Sequence, residues 1–304
     1  MDHSIKNYEK DRRIMAASFE ELSKNHPCFG GCRFNAGRIH LPVSPGCNIA
    51  CKFCDRQIND VEQRPGVSST VISPQEAGNF IDKALELVPN IKVAGIAGPG
   101  DTLATDYAFE TFRRIDETHP ELLKCMSTNG LLLYDKADEL IETGIDTLTV
   151  TVNAVDPEIE MQLNDYIYYH GQKYIGIKAA EILIENQLKG IKKVADAGVT
   201  VKINTVLVPG INDKHIKTIA KTVKEAGAIL YNIIPLIPQA KLKDLRRPTA
   251  EELEKAQSDA EEYIKVFKHC AHCRADAVGV PGISEYSRLV YQSRLNVKAT
   301  FSHG

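Results

Sequence analysis

The chain has 304 residues, of which 43% are hydrophobic and 25% are charged, and its formal net charge is −3 at pH 7. These values are those of an ordinary globular protein, which excludes a disordered chain, a fibrous repeat and a strongly basic nucleic-acid-binding protein. The longest apolar run is about half of the roughly 20 residues that a membrane-spanning helix needs, and the first residues lack the apolar core of a signal peptide. We therefore expect a cytoplasmic protein that binds neither nucleic acid nor membranes.

Strand-like and helix-like segments alternate along most of the chain. The strand-like runs are residues 39–43, 93–97, 123–127, 147–152, 199–208 and 229–237. The amphipathic, helix-like stretches are residues 73–88, 104–118, 134–143 and 214–226. The first of these begins with Ser73, Pro74 and Glu76, which is an N-cap residue, a proline at the first helical position and an acid in the first turn. Regular alternation predicts an α/β fold with a parallel sheet inside and helices outside.

Six such units predict a partial (β/α)6 TIM-like barrel rather than a complete barrel of eight. We expect one domain over residues 1–304, with an N-terminal extension (1–36), a barrel core (37–240) and a C-terminal extension (241–304). Both extensions are expected to lie over the barrel mouth, because the active sites of such barrels lie at the C-terminal ends of the strands. The long connection 157–190 either covers the open side of the barrel or forms an ordinary pair of surface helices.

Cysteine is the residue type that does not fit an ordinary cytosolic protein, because the chain has eight and a reducing compartment does not maintain disulfides. Close cysteine spacing is typical of metal ligands. Cys47, Cys51 and Cys54 form a Cys-x3-Cys-x2-Cys loop after the first strand. Three thiolates can hold three irons of a 4Fe–4S cluster, and the missing fourth cysteine leaves one iron open. The alternative is a zinc loop or three unrelated core cysteines, but zinc normally takes four ligands.

Polar or glycine-containing sequence follows five successive strands, which together predict a lined pocket. The residues singled out there are Gly98, Asp101, Asn129, Asn153, Asn204 and Asn232. The cysteine loop, with Phe53 before its last cysteine, resembles the loop of radical S-adenosylmethionine (SAM) enzymes. That resemblance implies that the open iron binds the amino and carboxylate groups of SAM. It also implies that Gly98 and Asp101 lie near the SAM amino group, and that Asn129, Asn153 and Asn204 contact SAM.

Five cysteines remain, and they are widely separated in the sequence: Cys28, Cys32, Cys125, Cys270 and Cys273. They converge if both extensions fold over the barrel mouth. Two further 4Fe–4S clusters need roughly six to eight ligands, so we expect non-cysteine ligands, with His26, His40 and Glu62 as the nearest candidates. The alternatives are a buried, inert Cys125, a core histidine at position 40, and half of a zinc site at Cys270 and Cys273.

The motifs in this order, from residue 26 to residue 279, resemble the NifB family, radical SAM proteins of nitrogenase cofactor biosynthesis. They are His26-Pro-Cys28, Arg38-Ile-His40, Pro45-Gly-Cys47-Asn48-Ile-x-Cys51-x-x-Cys54, Arg64-Pro65-Gly66-Val67, Cys125-x-Ser127-Thr128-Asn129-Gly130, Asn153-Ala154-Val-Asp156-Pro157 and Cys270-x-x-Cys273-Arg274-Ala-Asp276-Ala-Val-Gly279. Cys32 does not match the family pattern. We expect the archaeal form of the family, which is without the carrier-like C-terminal domain that many members have.

The resemblance implies three 4Fe–4S clusters, one that binds SAM on Cys47, Cys51 and Cys54, and two auxiliary clusters. Cys28, His40, Cys125, Cys270, Cys273 and Glu62 are the expected auxiliary ligands. It implies that the auxiliary pair is fused into an eight-iron core with a carbide from a SAM methyl group and an added sulfur. Arg64 and Arg274 either balance cluster charge or place the sulfur donor, or they form surface salt bridges.

The resemblance further implies a reductant such as ferredoxin, donors of iron–sulfur clusters, and downstream carrier or scaffold proteins for the nitrogenase cofactor. Two other functions stay open from the sequence. One is a different radical SAM enzyme with auxiliary clusters. The other is a non-enzymatic scaffold or carrier of iron–sulfur clusters.

Overall fold

The computed structural model describes residues 19–30 and 35–292. The strands are β1 (Gly37–His40), β2 (Ile49–Cys51), β3 (Gln57–Ile58), β4 (Val67–Ser68), β5 (Ile91–Ile96), β6 (Leu123–Thr128), β7 (Thr147–Thr151), β8 (Asn164–Tyr169), β9 (Gln172–Ile175), β10 (Thr200–Leu207), β11 (Leu230–Pro235) and β12 (Val278–Gly279). The helices are α1 (Phe19–Asn25), α2 (Ala77–Leu87), α3 (Tyr107–Thr118), α4 (Leu133–Glu142), α5 (Pro157–Leu163), α6 (Gly176–Asp196), α7 (Ile216–Glu225), α8 (Ala250–Glu261) and α9 (Ser287–Tyr291).

The main sheet has seven strands in the order β11-β10-β7-β6-β5-β1-β12. The first six strands in this order are parallel to their neighbours, and β12 runs antiparallel to β1. Helices connect successive parallel strands, as the right-handed βαβ rule requires. The architecture is a partial (β/α)6 barrel with one added antiparallel strand, so the predicted fold class is confirmed.

The hydrophobic core lies between the sheet and its outer helices. In α2, the buried positions Ala77, Phe80, Ile81 and Ala84 recur every three or four residues, which puts them on one face of the helix. The Glu76 carboxylate accepts hydrogen bonds from the backbone N–H and the hydroxyl of Ser73, both at 2.9 Å, where the chain enters this helix. A short 3₁₀ turn, Pro74–Glu76, precedes the α-helical part. The four predicted helices and six predicted strands are present within a few residues of their predicted bounds.

The connection 157–190 contains an element that the sequence prediction missed. Between α5 and the start of α6, strands β8 and β9 form an antiparallel hairpin, and β8 also pairs with β2. The hairpin turn consists of His170 and Gly171, both with positive φ, as a two-residue type I′ turn requires. A pair of surface helices is therefore wrong for this segment. Its alternating tyrosines are the strand signal.

The C-terminal segment lies against β1 of the sheet. Tyr291 of α9 donates a hydrogen bond of 2.5 Å to the carbonyl oxygen of His40, and Arg38 donates one of 2.6 Å to the carbonyl oxygen of Gly279. Within residues 19–30 and 35–292, no helix combines the length and the apolar character needed to cross a bilayer.

Candidate functional site

A cavity of about 330 Å³ opens at the C-terminal ends of the barrel strands. Side chains at alternate strand positions line it, because successive side chains of a strand point to opposite faces. On β10, for example, Lys202, Asn204 and Val206 face the cavity. Segments from outside the barrel complete the wall, including residues 26–28 and 269–273.

Cys47, Cys51 and Cys54, here named the loop group, lie on the segment that follows β1. The end of β5 fixes this segment through backbone hydrogen bonds from Gly100 to Ser44 and from Asp101 to Gly46, both at 2.7 Å. A Cβ atom at Gly100 would stand 1.9 Å from the Gly46 carbonyl oxygen, so only glycine allows this approach. On the other side, β2 carries Cys51 and pairs with β8 of the hairpin.

In the loop group, Cys47 is buried and Cys51 and Cys54 are partly buried. Burial raises the pKa of Cys51 well above its ordinary value, and the neighbouring Cys54 and Cys47 raise it further. Burial also raises the pKa of Cys47, against the opposing effect of Arg56. The Arg56 Nη2 donates a hydrogen bond of 2.9 Å to Cys47 Sγ. Thiols with raised pKa values hold their protons when free, so a metal must displace those protons to bind.

Cys28, Cys125, Cys270 and Cys273 all line the cavity and are here named the wall group. Burial raises the pKa of Cys28 to about 12, and the other three thiols add to this effect while Lys202 opposes it. The four thiols share the wall of this one cavity. The structure therefore brings together cysteines that are more than 200 positions apart. Cys32 lies outside the described residues.

His40 stands in the cavity wall with one ring nitrogen already engaged. Its Nδ1 is 2.9 Å from the carbonyl oxygen of Arg274; because a carbonyl only accepts, Nδ1 carries the proton and Nε2 keeps a free lone pair. Burial lowers the pKa of His40 to about 4, so the ring is neutral at pH 7. Gly95 lies between His40 and Cys125 in the sheet register. A Cβ at Gly95 would approach His40 Cδ2 to 3.1 Å, so the glycine keeps space between the two side chains.

His26 has the opposite arrangement. Its Nδ1 accepts the backbone N–H of Cys28 at 3.1 Å, and its buried Nε2 has no partner among the described residues. With Nδ1 as acceptor, Nε2 carries the ring proton of the neutral form. The structure therefore presents the lone pair of His40, and not that of His26, to the cavity.

The polar residues predicted for SAM contact fall into two classes. Asp101, Asn129, Asn153 and Asn204 line the cavity, whereas Gly98 lies behind it, next to the lining residue Pro99. The Asp101 carboxylate accepts from the Asn129 backbone N–H at 2.6 Å and from the Thr128 hydroxyl at 3.0 Å. It therefore organises the end of β6. Asn129 Nδ2 donates to Asn48 Oδ1 at 2.7 Å, beside the loop group.

Three residues predicted near the clusters have other partners. The Glu62 carboxylate, which is outside the cavity wall, pairs with Arg64 Nε at 2.5 Å and is 42% exposed. Arg274 is buried and pairs with the buried Asp276 at 2.8 Å. A surface salt bridge is therefore wrong for Arg274, which fastens the segment after Cys273.

The ligand groups do not resemble a zinc centre. Among residues 19–30 and 35–292, no three His, Cys, Asp or Glu side chains converge closely enough to hold one metal ion. Zinc gathers its ligands around one ion, whereas a 4Fe–4S cluster takes one ligand on each iron, so its ligands stand apart. The described residues therefore offer no ready-made zinc site.

Sequence reasoning missed three charged residues in the cavity wall, of which Lys202 and Glu160 are buried and Arg56 is partly buried. Lys202 Nζ donates to the Cys28 carbonyl oxygen at 3.3 Å and lies over the ring of Phe29. Burial raises the pKa of Glu160 to about 8 against the hydrogen bond from Asn164, and its Oε2 has no partner in the described part of the chain. Lys202 could have been found from the sequence, because a lysine within an apolar strand run indicates a buried charge.

The model of the radical SAM superfamily matches residues 41–223. The NifB protein of Methanocaldococcus jannaschii, described as an FeMo cofactor biosynthesis protein, is 49% identical over 267 residues, which are 87% of this chain and 89% of that protein. The NifB protein of Chlorobaculum tepidum is 42% identical over 85% of this chain and 62% of its own length.

The chain belongs to the NifB family of radical SAM enzymes. Its fold agrees with two solved structures. A radical SAM methyltransferase from Sphaerobacter thermophilus has a TM-score of 0.54 at 17% identity and covers 76% of this chain and 65% of its own. SuiB from Streptococcus suis has a TM-score of 0.55 at 12% identity over 88% of this chain and 54% of its own. Membership of the radical SAM superfamily implies a 4Fe–4S cluster and SAM binding.

Proposed function

We propose that this enzyme fuses two 4Fe–4S clusters with a SAM-derived carbide and an added sulfur, giving the eight-iron precursor of the nitrogenase cofactor. The observation that carries the proposal is that Cys51 and Cys54 of the loop group line the same cavity as all four wall-group cysteines. A cluster bound at one group is then within the same enclosed space as the substrate clusters at the other. The family relationship supports the same pathway.

In this proposal the loop group holds the SAM-binding cluster, which supplies the electron for reductive cleavage of SAM. Cys47 is buried, which shields this side of the loop group from water. Asn129 is fixed by hydrogen bonds to Asn48 and Asp101, so its side chain is oriented before SAM binds. Asn153, Asn204 and Gly98 complete the proposed SAM environment.

The wall group, with His40, holds the two substrate clusters. Four described thiols and one imidazole cannot close two clusters that each take four ligands. Open irons suit substrates that must join and leave. Glu62 serves as a further ligand once its carboxylate releases Arg64 and binds an iron instead. One SAM would give its methyl group to a substrate-cluster sulfide and leave as S-adenosylhomocysteine. A second SAM, cleaved by one electron to methionine and a 5′-deoxyadenosyl radical, would remove one hydrogen atom from that methyl group, and the hydrogen would leave in 5′-deoxyadenosine.

The proposal includes partners of stated chemistry: donors of iron–sulfur clusters, a low-potential reductant such as ferredoxin, and a carrier or scaffold that accepts the product. It also includes the division of residues 1–304 into one catalytic unit with two cluster-binding extensions. The support is that residues 26–28 and 269–273 share the cavity wall with the barrel strands.

The decisive experiment uses anaerobically purified, reconstituted protein. We expect about twelve irons per chain, from three clusters of four, and transfer of label from [methyl-¹³C]SAM into an extractable iron cluster. About four irons, or a labelled peptide or small organic molecule, would contradict the proposal.

Two variants separate the groups. Cys51→Ala is expected to abolish formation of 5′-deoxyadenosine while the wall-group iron stays bound. Cys28→Ala is expected to lose wall-group iron while SAM cleavage continues. SAM cleavage that survives Cys51→Ala would refute the role of the loop group, and a wild-type protein that never cleaves SAM would indicate a scaffold or carrier.

A further inference from the structure

Arg56 is a partly buried arginine that no sequence motif marked. It lies two positions after Cys54, and its Nε donates a hydrogen bond of 2.8 Å to the Pro99 carbonyl oxygen. Its Nη2 donates one of 2.9 Å to Cys47 Sγ. The guanidinium therefore spans from the end of β5 to the first cysteine of the loop group in a fixed orientation.

The charge of Arg56 has no carboxylate partner. In residues 19–30 and 35–292, no ion pair includes Arg56, and its Nη1 is buried without a hydrogen-bond partner in that part of the chain. A buried cation without compensation is costly. The hydrogen bond to Cys47 Sγ shows which group can compensate this charge, because Cys47 becomes a thiolate when it binds iron.

This arrangement has a redox consequence. Hydrogen bonds to cluster sulfurs and nearby positive charge favour the reduced state, since reduction adds one negative charge. Arg56 supplies both at one ligand, because a planar guanidinium with two anchored N–H groups cannot rotate away from the sulfur. Arg38 approaches Cys273 Sγ at 3.3 Å but shares the same Nη2 with Glu285 at 3.3 Å. Its charge is therefore partly neutralised at the wall group.

We propose that Arg56 is a positioning residue that raises the reduction potential of the SAM-binding cluster through its hydrogen bond to Cys47. The proposal rests on the proposed assignment of that cluster to the loop group. The reaction concerned is the transfer of one electron from a low-potential one-electron donor, such as dithionite or a reduced iron–sulfur protein. The cluster gains the electron and the donor is oxidised by one electron, with no proton transferred.

The test is a controlled-potential titration of the reconstituted full chain, followed by the paramagnetic signal that changes when SAM is added. For Arg56→Gln we expect the ratio of reduced to oxidised cluster at a fixed potential to fall about tenfold, which is ~59 mV for a one-electron couple. Arg56→Lys keeps the charge but not both anchors, so its decrease is expected to be smaller. Arg113→Gln is the control, because Arg113 is exposed and pairs only with Glu139 on the surface.

Each outcome decides the proposal. The proposal is overturned if Arg56→Gln has the wild-type iron content and its ratio of reduced to oxidised cluster at the fixed potential is within a factor of two of the wild-type ratio. If Arg56→Gln does not retain the cluster, the same ratio is measured for Arg56→Lys and is judged by the same factor of two. Loss of the cluster in both variants at wild-type urea stability assigns Arg56 to cluster retention and overturns the redox role. A wild-type protein without any SAM-responsive signal refutes the loop-group assignment itself.

Discussion

Replacing Arg274 by Gln should release the segment that carries the wall-group cysteines Cys270 and Cys273. The guanidinium and the Asp276 carboxylate form a pair that is 3% and 0% exposed, with Nε–Oδ1 at 2.8 Å and Nη2–Oδ2 at 3.1 Å. The remaining Arg274 N–H groups donate to the carbonyl oxygens of Glu62 at 2.6 Å and Asn59 at 2.7 Å. One side chain thus joins the C-terminal segment to the loop before β4.

Removing one partner from a buried ion pair costs about 3–5 kcal/mol, because the other charge stays buried and uncompensated. We expect a loss of this size in the free energy of unfolding for Arg274→Gln. Arg113→Gln removes an exposed pair with Glu139, so its cost should be about 1 kcal/mol or less. The Arg274 carbonyl also fixes the His40 ring, so wall-group iron should decrease while loop-group iron is retained.

Urea unfolding of the metal-free protein measures the first effect, and iron content with the SAM-responsive signal measures the second. The double variant Arg274→Gln/Asp276→Asn should lose less stability than the sum of its single variants, since it leaves no unpaired charge. A loss below about 1 kcal/mol in Arg274→Gln, or additive single effects, would refute the reasoning.

The same pair predicts a pH dependence. Burial acts to raise the pKa of Asp276, but hydrogen bonds from Arg274 and Ser69 outweigh it and lower the pKa. A carboxyl with a lowered folded-state pKa stabilises the fold above its unfolded pKa, about 3.9, and this contribution is lost as the pH falls through the folded value. Acid titration of urea stability should therefore show a loss below about pH 4 that is absent in Asp276→Asn.

Three further substitutions test the cavity wall. Gly95→Ala places a Cβ 3.1 Å from His40 Cδ2 and should reduce wall-group iron by about half or more, whereas Gly46→Ala, with open space around its Cβ, should not; equal iron in both variants would count against the role of this gap. Lys202→Met removes the cation that acts to lower the pKa of Cys28. Iron and sulfide analysis at pH 7 should therefore show less cluster bound at the wall group, and wild-type iron content would exclude an electrostatic role for Lys202. Gln187 Nε2 donates to the carbonyl oxygens of Asn129 at 2.7 Å and Thr151 at 2.9 Å, where β6 and β7 end. Gln187→Leu leaves both oxygens without this donor, so urea unfolding should show a loss of about 1–3 kcal/mol in the free energy of unfolding. An unchanged urea midpoint would mean that water replaces the amide.

Local patterns in the sequence were enough for much of the fold and part of the site. The alternation of apolar strands and amphipathic helices is a short-range signal, as is the spacing of Cys47, Cys51 and Cys54, and each predicted element is present. The hairpin was missed although it carries its own signal, because alternating tyrosines with His170 and Gly171 between them also suit a long surface connection.

Pairings between distant segments could not be predicted in the same way. Arg274 and Arg56 are ordinary charged residues in the sequence, and a charged residue is usually exposed. Their burial depends on which segments the topology brings together, namely the C-terminal segment against β4 and the end of β5 against the cysteine loop. His26 and His40 likewise look equivalent until their Nδ1 partners are known.

The separation of the wall-group cysteines along the chain imposes an order in time during synthesis. The N-terminal part of a chain emerges first and begins to fold while the rest is still being made. The loop group is complete once residue 54 has emerged, but the wall of the cavity needs Cys28 and Cys125 together with Cys270 and Cys273. A nascent chain can therefore present the first three thiols long before it can present the second set. If the wall group holds the substrate clusters, as we propose, their binding wall is complete only after translation has passed residue 273, and their delivery is a late event in the life of each molecule.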